Sequence, residues 1–135
     1  ARLLIGGKTL RRSETNSNGY EGKFPGIVEE ALYTLREGQP LFVAGGFGGA
    51  AALLAHELGL GSDLPVRDEA LAEIDKISEY REAIDEIKDK FVHTHTGLSV
   101  EDLRRLATTQ HASELGALLA KGLASTGAPQ QDSDH

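Results

Sequence analysis

The chain has 135 residues, with 14 lysines and arginines against 21 aspartates and glutamates and a formal charge of −7 at neutral pH. That length suits one domain with a real hydrophobic core, and the acidic balance argues against a nucleic-acid partner, which needs a basic face to neutralise phosphates. Cysteine is absent, which excludes a disulfide scaffold and any thiolate zinc site, and no apolar run approaches the length of a membrane span; the cytoplasm is the expected compartment.

Leu3 to Ile5 form a short continuous apolar run that ends in Gly6-Gly7 and reads as a strand. It begins without an initiator methionine and is too short and too quickly polar for a signal peptide, so a segment is expected to precede Ala1 in the natural protein. A polar connection follows from Lys8 to Lys23, and Phe24 to Leu35 then read as a helix with Ile27, Ala31, Leu32 and Leu35 on one face. After Glu37-Gly38 stops that helix, Leu41 to Ala44 make the second strand and Gly49 to Leu58 the second helix, with Gly59 and Gly61 as stop signals.

Both strands are apolar at successive positions, the pattern of a parallel sheet covered by helices on both faces. Two strands are too few for such a sheet. The expected fold class is therefore α/β, a Rossmann-like parallel sheet flanked by helices, forming the C-terminal part of a larger domain.

From Asp68 to Lys90 apolar residues recur at helical spacing (Leu71, Ile74, Ile77, Ile84, Ile87), giving one amphipathic helix or two with a break near Tyr80. Phe91 to Thr96 offers a further short strand. Ser99-Val-Glu-Asp102 is a variant capping box that starts a helix to about Thr108, and Ala112 to Leu123 carry Leu115, Leu118 and Leu119 in a last helix. Residues 1–124 are read as the domain, and the polar, aperiodic stretch from Ser125 to His135 as a disordered tail.

Two regions concentrate candidate chemistry. Gly45-Gly46-Phe47-Gly48-Gly49 joins the second strand to its helix, and Gly46-Phe-Gly48-Gly49-Ala50-Ala51 fits the loose G-x-G-x-x-G/A spacing of dinucleotide turns, although the acidic ribose ligand expected after the next strand has no clear candidate. Glycines there allow a ligand to approach the backbone, and free N–H groups at a helix start attract anions; a close-packed turn without ligand is the alternative. The polar connection leaves the carboxyl end of a parallel strand, where open α/β sheets bind ligands. It gathers Lys8, Arg11, Arg12, Ser13, Thr15, Asn16, Asn18, Tyr20 and Lys23, groups suited to phosphate and ribose. Tyr20 is a candidate to stack on a base, or else packs in the interior. His93 and His95 alternate as on a strand face, but no third ligand is placed, so no metal is expected. His56 and His111 read as structural or exposed.

Ile5-Gly-Gly7, followed after the polar loop by Pro25-Gly-Ile-Val-Glu-Glu30, resembles a split form of the P-G-G-x-G-T-x-x-E signature of the lysine-decarboxylase-like "Lonely guy" nucleotide hydrolases. The wider group is the SLOG superfamily of Rossmann-like nucleotide-binding domains. Pro40 to Ala51 and Thr96 to Leu106 look like the SLOG domains associated with TIR proteins in bacterial defence and signalling. The resemblance implies recognition of a nucleotide, including NAD-derived ones such as ADP-ribose or its cyclic forms, with Gly6, Gly7, Gly26 and Glu29 at the signature positions. It also implies a homo-oligomer and a TIR-type effector, attached or associated, and no separate cofactor.

In the hydrolases the last glutamate of the signature helps cleave the bond between base and ribose 5′-phosphate, and Glu30 is the matching catalytic candidate. A carboxylate beside the ribose can stabilise oxocarbenium-like charge and help activate water. Ile5 and Ile27 depart from the signature's proline and threonine, and the insertion separates the paired glycines from Gly26. Binding is thus expected ahead of hydrolysis. An interaction module, with structural glycine turns and a partner on the acidic helix, is the third reading.

Overall fold

The computed structural model describes residues 1–15 and 17–133, with side chains described to residue 126. Asn16 of the polar loop and the last two residues of the chain lie outside the described residues. The elements are β1 (Arg2–Ile5), α1 (Gly26–Arg36), β2 (Leu41–Ala44), α2 (Gly49–Glu57), α3 (Asp68–Lys76), α4 (Ser78–Lys90), a 3-10 turn (His93–Thr96), α5 (Val100–Thr108) and α6 (Ala112–Ser133).

The strands pair in parallel, with Arg2 opposite Leu41 and Ile5 opposite Ala44, as expected of an α/β domain of Rossmann-like type. Their carboxyl ends therefore finish side by side. β2 is buried along its whole length, consistent with its uninterrupted apolar sequence. β1 departs from the expectation of helices on both faces: Leu4 is buried, but Leu3 and Ile5 are 37% and 46% exposed. The reason is lateral: α1 and α2 pack on both strands, whereas α5 and the 3-10 turn lie against β2.

The acidic stretch forms two helices, parted at Ile77, whose backbone is extended (φ −124°, ψ 117°). The break lets α3 and α4 pack on each other while α4 also lies along α1, burying Ile74, Tyr80, Ile84 and Ile87 in one core with Val28 and Leu32. The strand expected over Phe91 to Thr96 is instead the 3-10 turn. There the Thr96 hydroxyl donates to His93 O (2.5 Å) and accepts from Leu98 N (3.2 Å), and such local bonds compete with a ladder. Gly97 then closes the turn in the left-handed region at φ 76°, with the carbonyl of Gly122 in α6 only 2.7 Å from where a Cβ would stand.

Ser99 caps α5 as its sequence indicates, its hydroxyl accepting from Asp102 N at 3.1 Å. The last helix has the bounds Ala112–Ser133, against an end near Leu123 drawn from its apolar spacing. No helix among the described residues is long and apolar enough to cross a membrane.

Candidate ligand-binding site

Because the strands end in register, Gly6-Gly7 and the Gly45 to Gly48 turn meet at one edge of the sheet. Two of the N–H groups that a helix start leaves unpaired are taken up inside the protein: Ala51 N donates to Gly6 O (2.9 Å) and Ala50 N to Gly7 O (3.2 Å). Gly49 permits that crossing, since a Cβ there would stand 2.5 Å from Gly6 C and 2.6 Å from Gly7 O. The α2 start is thus partly closed by the loop after β1. The start of α1 is more open: no backbone acceptor is found for Gly26 N or Ile27 N among the described residues, and space is free around Gly26.

Gly45 and Gly46 face away from that edge, under the end of α5. Gly45 N donates to Ala107 O (2.8 Å), and a Cβ on Gly46 would fall 2.6 Å from Thr109 C and 2.8 Å from Thr108 O. Gly45 also makes room for Leu64, which brings the connection after α2 back to the carboxyl ends of the strands. Gly48 adopts φ 84° with open space around it, and Phe47 is 44% exposed.

The long polar connection is folded on itself. Tyr20 N donates to Leu10 O (3.0 Å) and Arg12 N to Tyr20 O (2.7 Å), bringing Arg11 opposite Tyr20. The Tyr20 side chain turns inward, 4% exposed, with its ring edge-on to Tyr80 at 6.5 Å. It holds the loop against α4 and has no free face for a base. Burial pushes the Tyr20 phenol above its usual range, with Glu73 adding to the rise and Arg11 opposing it. Burial raises Tyr80 as well, reinforced by Tyr20, Glu57 and Glu73. Neither buried hydroxyl has a hydrogen-bond partner among the described residues.

Between this loop and the connection that leads into α3 lies a cavity of about 380 Å³. Gly7 and Gly49 contribute backbone, Lys8, Thr9 and Asn18 a polar wall, Leu10, Pro65 and Val66 an apolar wall, and Arg67 the opposing cation. Lys8 and Arg67 have no ion-pair partner among the described residues, a status they share with Arg11, Lys88 and Arg104, whereas Arg12, Lys23, Arg36 and Arg81 are all paired; of the unpaired cations, Lys8 and Arg67 line this cavity. The cavity therefore concentrates uncompensated positive charge in an acidic chain.

Of the candidates drawn from sequence, Gly7, Lys8 and Gly49 line this cavity, with Asn18 from the same loop. Gly6 adjoins it through Gly7. Arg12 pairs with Glu21, and Arg11 stands on the Tyr20 bridge. Glu29 lines a second cavity between α1 and α4. Glu30 reaches toward the start of β1, where its carboxylate lies 3.5 Å from the Arg2 guanidinium. Gly26, Gly45, Gly46, Phe47 and Gly48 do not line the cavity. Arg67 was not anticipated; its available signal was a lone basic residue in Gly61-Ser-Asp-Leu-Pro-Val-Arg67, outside both glycine segments. His93 and His95 sit on the exposed 3-10 turn, not on a strand face, and no group of three or more metal-binding side chains occurs among the described residues.

This is a parallel α/β domain with its cavity at the strand carboxyl edge. The chain belongs to the SLOG cluster2 family, whose model matches residues 1–124, and membership marks it as a nucleotide-related domain. No curated protein and no solved structure matches it.

Proposed function

We propose that this domain binds a phosphorylated nucleotide in the cavity of Lys8 and Arg67 and acts as a sensor, not as a hydrolase. The observation that carries the reading is the convergence there of two unpaired cations with the backbone of Gly7 and Gly49. Charge-assisted bonds from such groups suit phosphate oxygens. Leu10, Pro65 and Val66 offer an apolar surface for a base or ribose, and the Asn18 amide offers both a donor and an acceptor.

The volume of about 380 Å³ lies near the lower end of the ~300–1,000 Å³ typical of small-molecule sites. It accommodates one nucleotide unit. ADP-ribose or cyclic ADP-ribose would place one phosphorylated half there and leave the other half outside. Hydrolysis has less support, because Glu30 pairs with Arg2 and Glu29 faces another cavity. In this proposal occupancy is read by an attached or associated TIR-type effector through a change in homo-oligomeric state.

Titration calorimetry with AMP, ADP-ribose and cyclic ADP-ribose, followed by mass spectrometry of the recovered ligand, tests the reading. Binding of intact ligand is expected, weakened about tenfold or more by Lys8→Ala and by Arg67→Ala, since a charged hydrogen bond is worth ~1.5–3 kcal/mol. Unchanged affinity in both variants refutes the site. Released free base that depends on Glu30 refutes the sensor.

A further inference from the structure

The cavity between α1 and α4 differs in chemistry from the nucleotide pocket. Its volume is about 610 Å³, and three separate segments supply its carboxylates: Glu21 from the polar loop, Glu29 from α1, and Glu79, Glu82 and Glu86 from α4. Two cations, Lys23 and Arg36, line it as well, and both are already engaged. Lys23 pairs with Glu79, and Arg36 holds Glu86 through two hydrogen bonds of 2.7 Å. Glu21 is taken by Arg12. Glu29 and Glu82 have no ion-pair partner among the described residues, and they stand on different helices bordering the groove.

The groove is not purely polar. Leu32 and Ala83 are buried along it, Phe24 is half-buried, and Tyr33 is 61% exposed. Apolar surface next to free carboxylates matches side chains that carry an alkyl stem and a cationic head, and Tyr33 offers a ring face to such a head. On α4 the glutamates at 79, 82 and 86 stand at three- and four-residue spacing; Lys23 and Arg36 already compensate the outer two, which leaves the charge of Glu82 for a cationic occupant. A phosphorylated ligand does not fit this electrostatic environment, and a second copy of a chain of charge −7 meets net repulsion.

We infer that the α1–α4 groove docks a lysine- or arginine-bearing segment of a protein partner, with apolar side chains against Phe24 and Tyr33 and cationic heads at Glu29 and Glu82. The surface needs no nucleotide in the other cavity for its recognition.

The test uses the full chain and fluorescence anisotropy with a labelled octapeptide of alternating lysine and leucine. An alternating lysine and serine peptide and an alternating glutamate and leucine peptide are the controls. The lysine–leucine peptide binds saturably and more weakly as salt rises, while both controls bind more weakly than it does. The double variant Glu29→Gln, Glu82→Gln is expected to bind it about tenfold more weakly, the effect of two partly desolvated charge contacts. The double variant Glu14→Gln, Glu101→Gln has the same net charge but changes exposed carboxylates elsewhere, and it keeps wild-type affinity. Equal losses in the two variants would reduce the effect to general charge attraction and overturn the proposal. So would absence of saturable binding, equal binding of the lysine–serine peptide, or self-association in sedimentation velocity that disappears in the Glu29, Glu82 variant, which would give the groove to a second copy.

Discussion

Replacing Gly46 by alanine drives a methyl group into the C-terminal end of α5, and the expected consequence is a loss of stability without a loss of ligand affinity. The added Cβ would stand 2.6 Å from Thr109 C and 2.8 Å from Thr108 O, and closer still to the Thr109 carbonyl oxygen. Those are backbone atoms, so no side-chain rotation relieves the clash. The turn and α5 must separate by about an ångström, which strains or breaks the bond from Gly45 N to Ala107 O, 2.8 Å in the intact protein. Overpacking typically costs ~1–3 kcal/mol, and a lost backbone hydrogen bond adds ~1 kcal/mol. The sum, about 2–4 kcal/mol, is a large part of a usual stability of ~5–15 kcal/mol. For a domain of this length the melting midpoint should fall by roughly 10 °C. The assay pairs thermal and urea unfolding with calorimetric titration of ADP-ribose under conditions where the variant stays folded. A midpoint within about 2 °C of wild type would show that α5 does not clamp the turn as argued. Intact stability with lost binding would place Gly46 at the ligand after all.

Tyr80→Phe removes a buried hydroxyl that has no hydrogen-bond partner among the described residues, so stability should hold or rise by up to ~1 kcal/mol, and a clear loss of unfolding free energy in urea titration would reveal a partner for the oxygen. The Glu86 carboxyl is held down, from 4.5 to about 2, chiefly by its hydrogen bond from Arg36, with Lys90 also lowering it. A depressed acid contributes stability that is present above pH 4.5 and lost as pH falls toward 2. With Arg36 57% exposed, solvent screens much of that contribution; Glu86→Gln should nonetheless flatten the fall in urea midpoint between pH 6 and pH 3, and an identical fall in both proteins would exclude this pair from the acid limb.

The elements themselves are written into the chain at short range. Leu41 to Ala44 read as a buried strand because four consecutive apolar residues between Pro40 and Gly45 fit a strand enclosed by other layers, and each of them is buried. Ser99 announces α5 because its cap needs only a hydroxyl and the N–H of Asp102 three residues on. The family resemblance was legible in the glycine segments for the same reason: a motif needs no knowledge of the remote chain.

The tertiary structure decided what each such residue faces. A glycine in the sequence signals that a Cβ is unwelcome, but whether ligand or protein fills the space depends on where α5 lies; for Gly46 the neighbour is Thr109, and for Gly49 it is the Gly6 and Gly7 backbone. Tyr20 sits in a polar loop, and only the position of Tyr80, sixty residues later in the chain, turns its ring inward. Leu3 and Ile5 look as buried as β2, yet their exposure depends on how far α5 and the 3-10 turn extend across the sheet. Lys8 and Arg67 are ordinary cations until the connection after α2, anchored by Leu64 against Gly45, returns one to the side of the other. Backbone conformation and periodicity are set mainly by neighbours along the chain, so the sequence alone reveals them, whereas burial, unpaired charge and the room for a ligand arise between segments distant in sequence and exist only once the chain has packed.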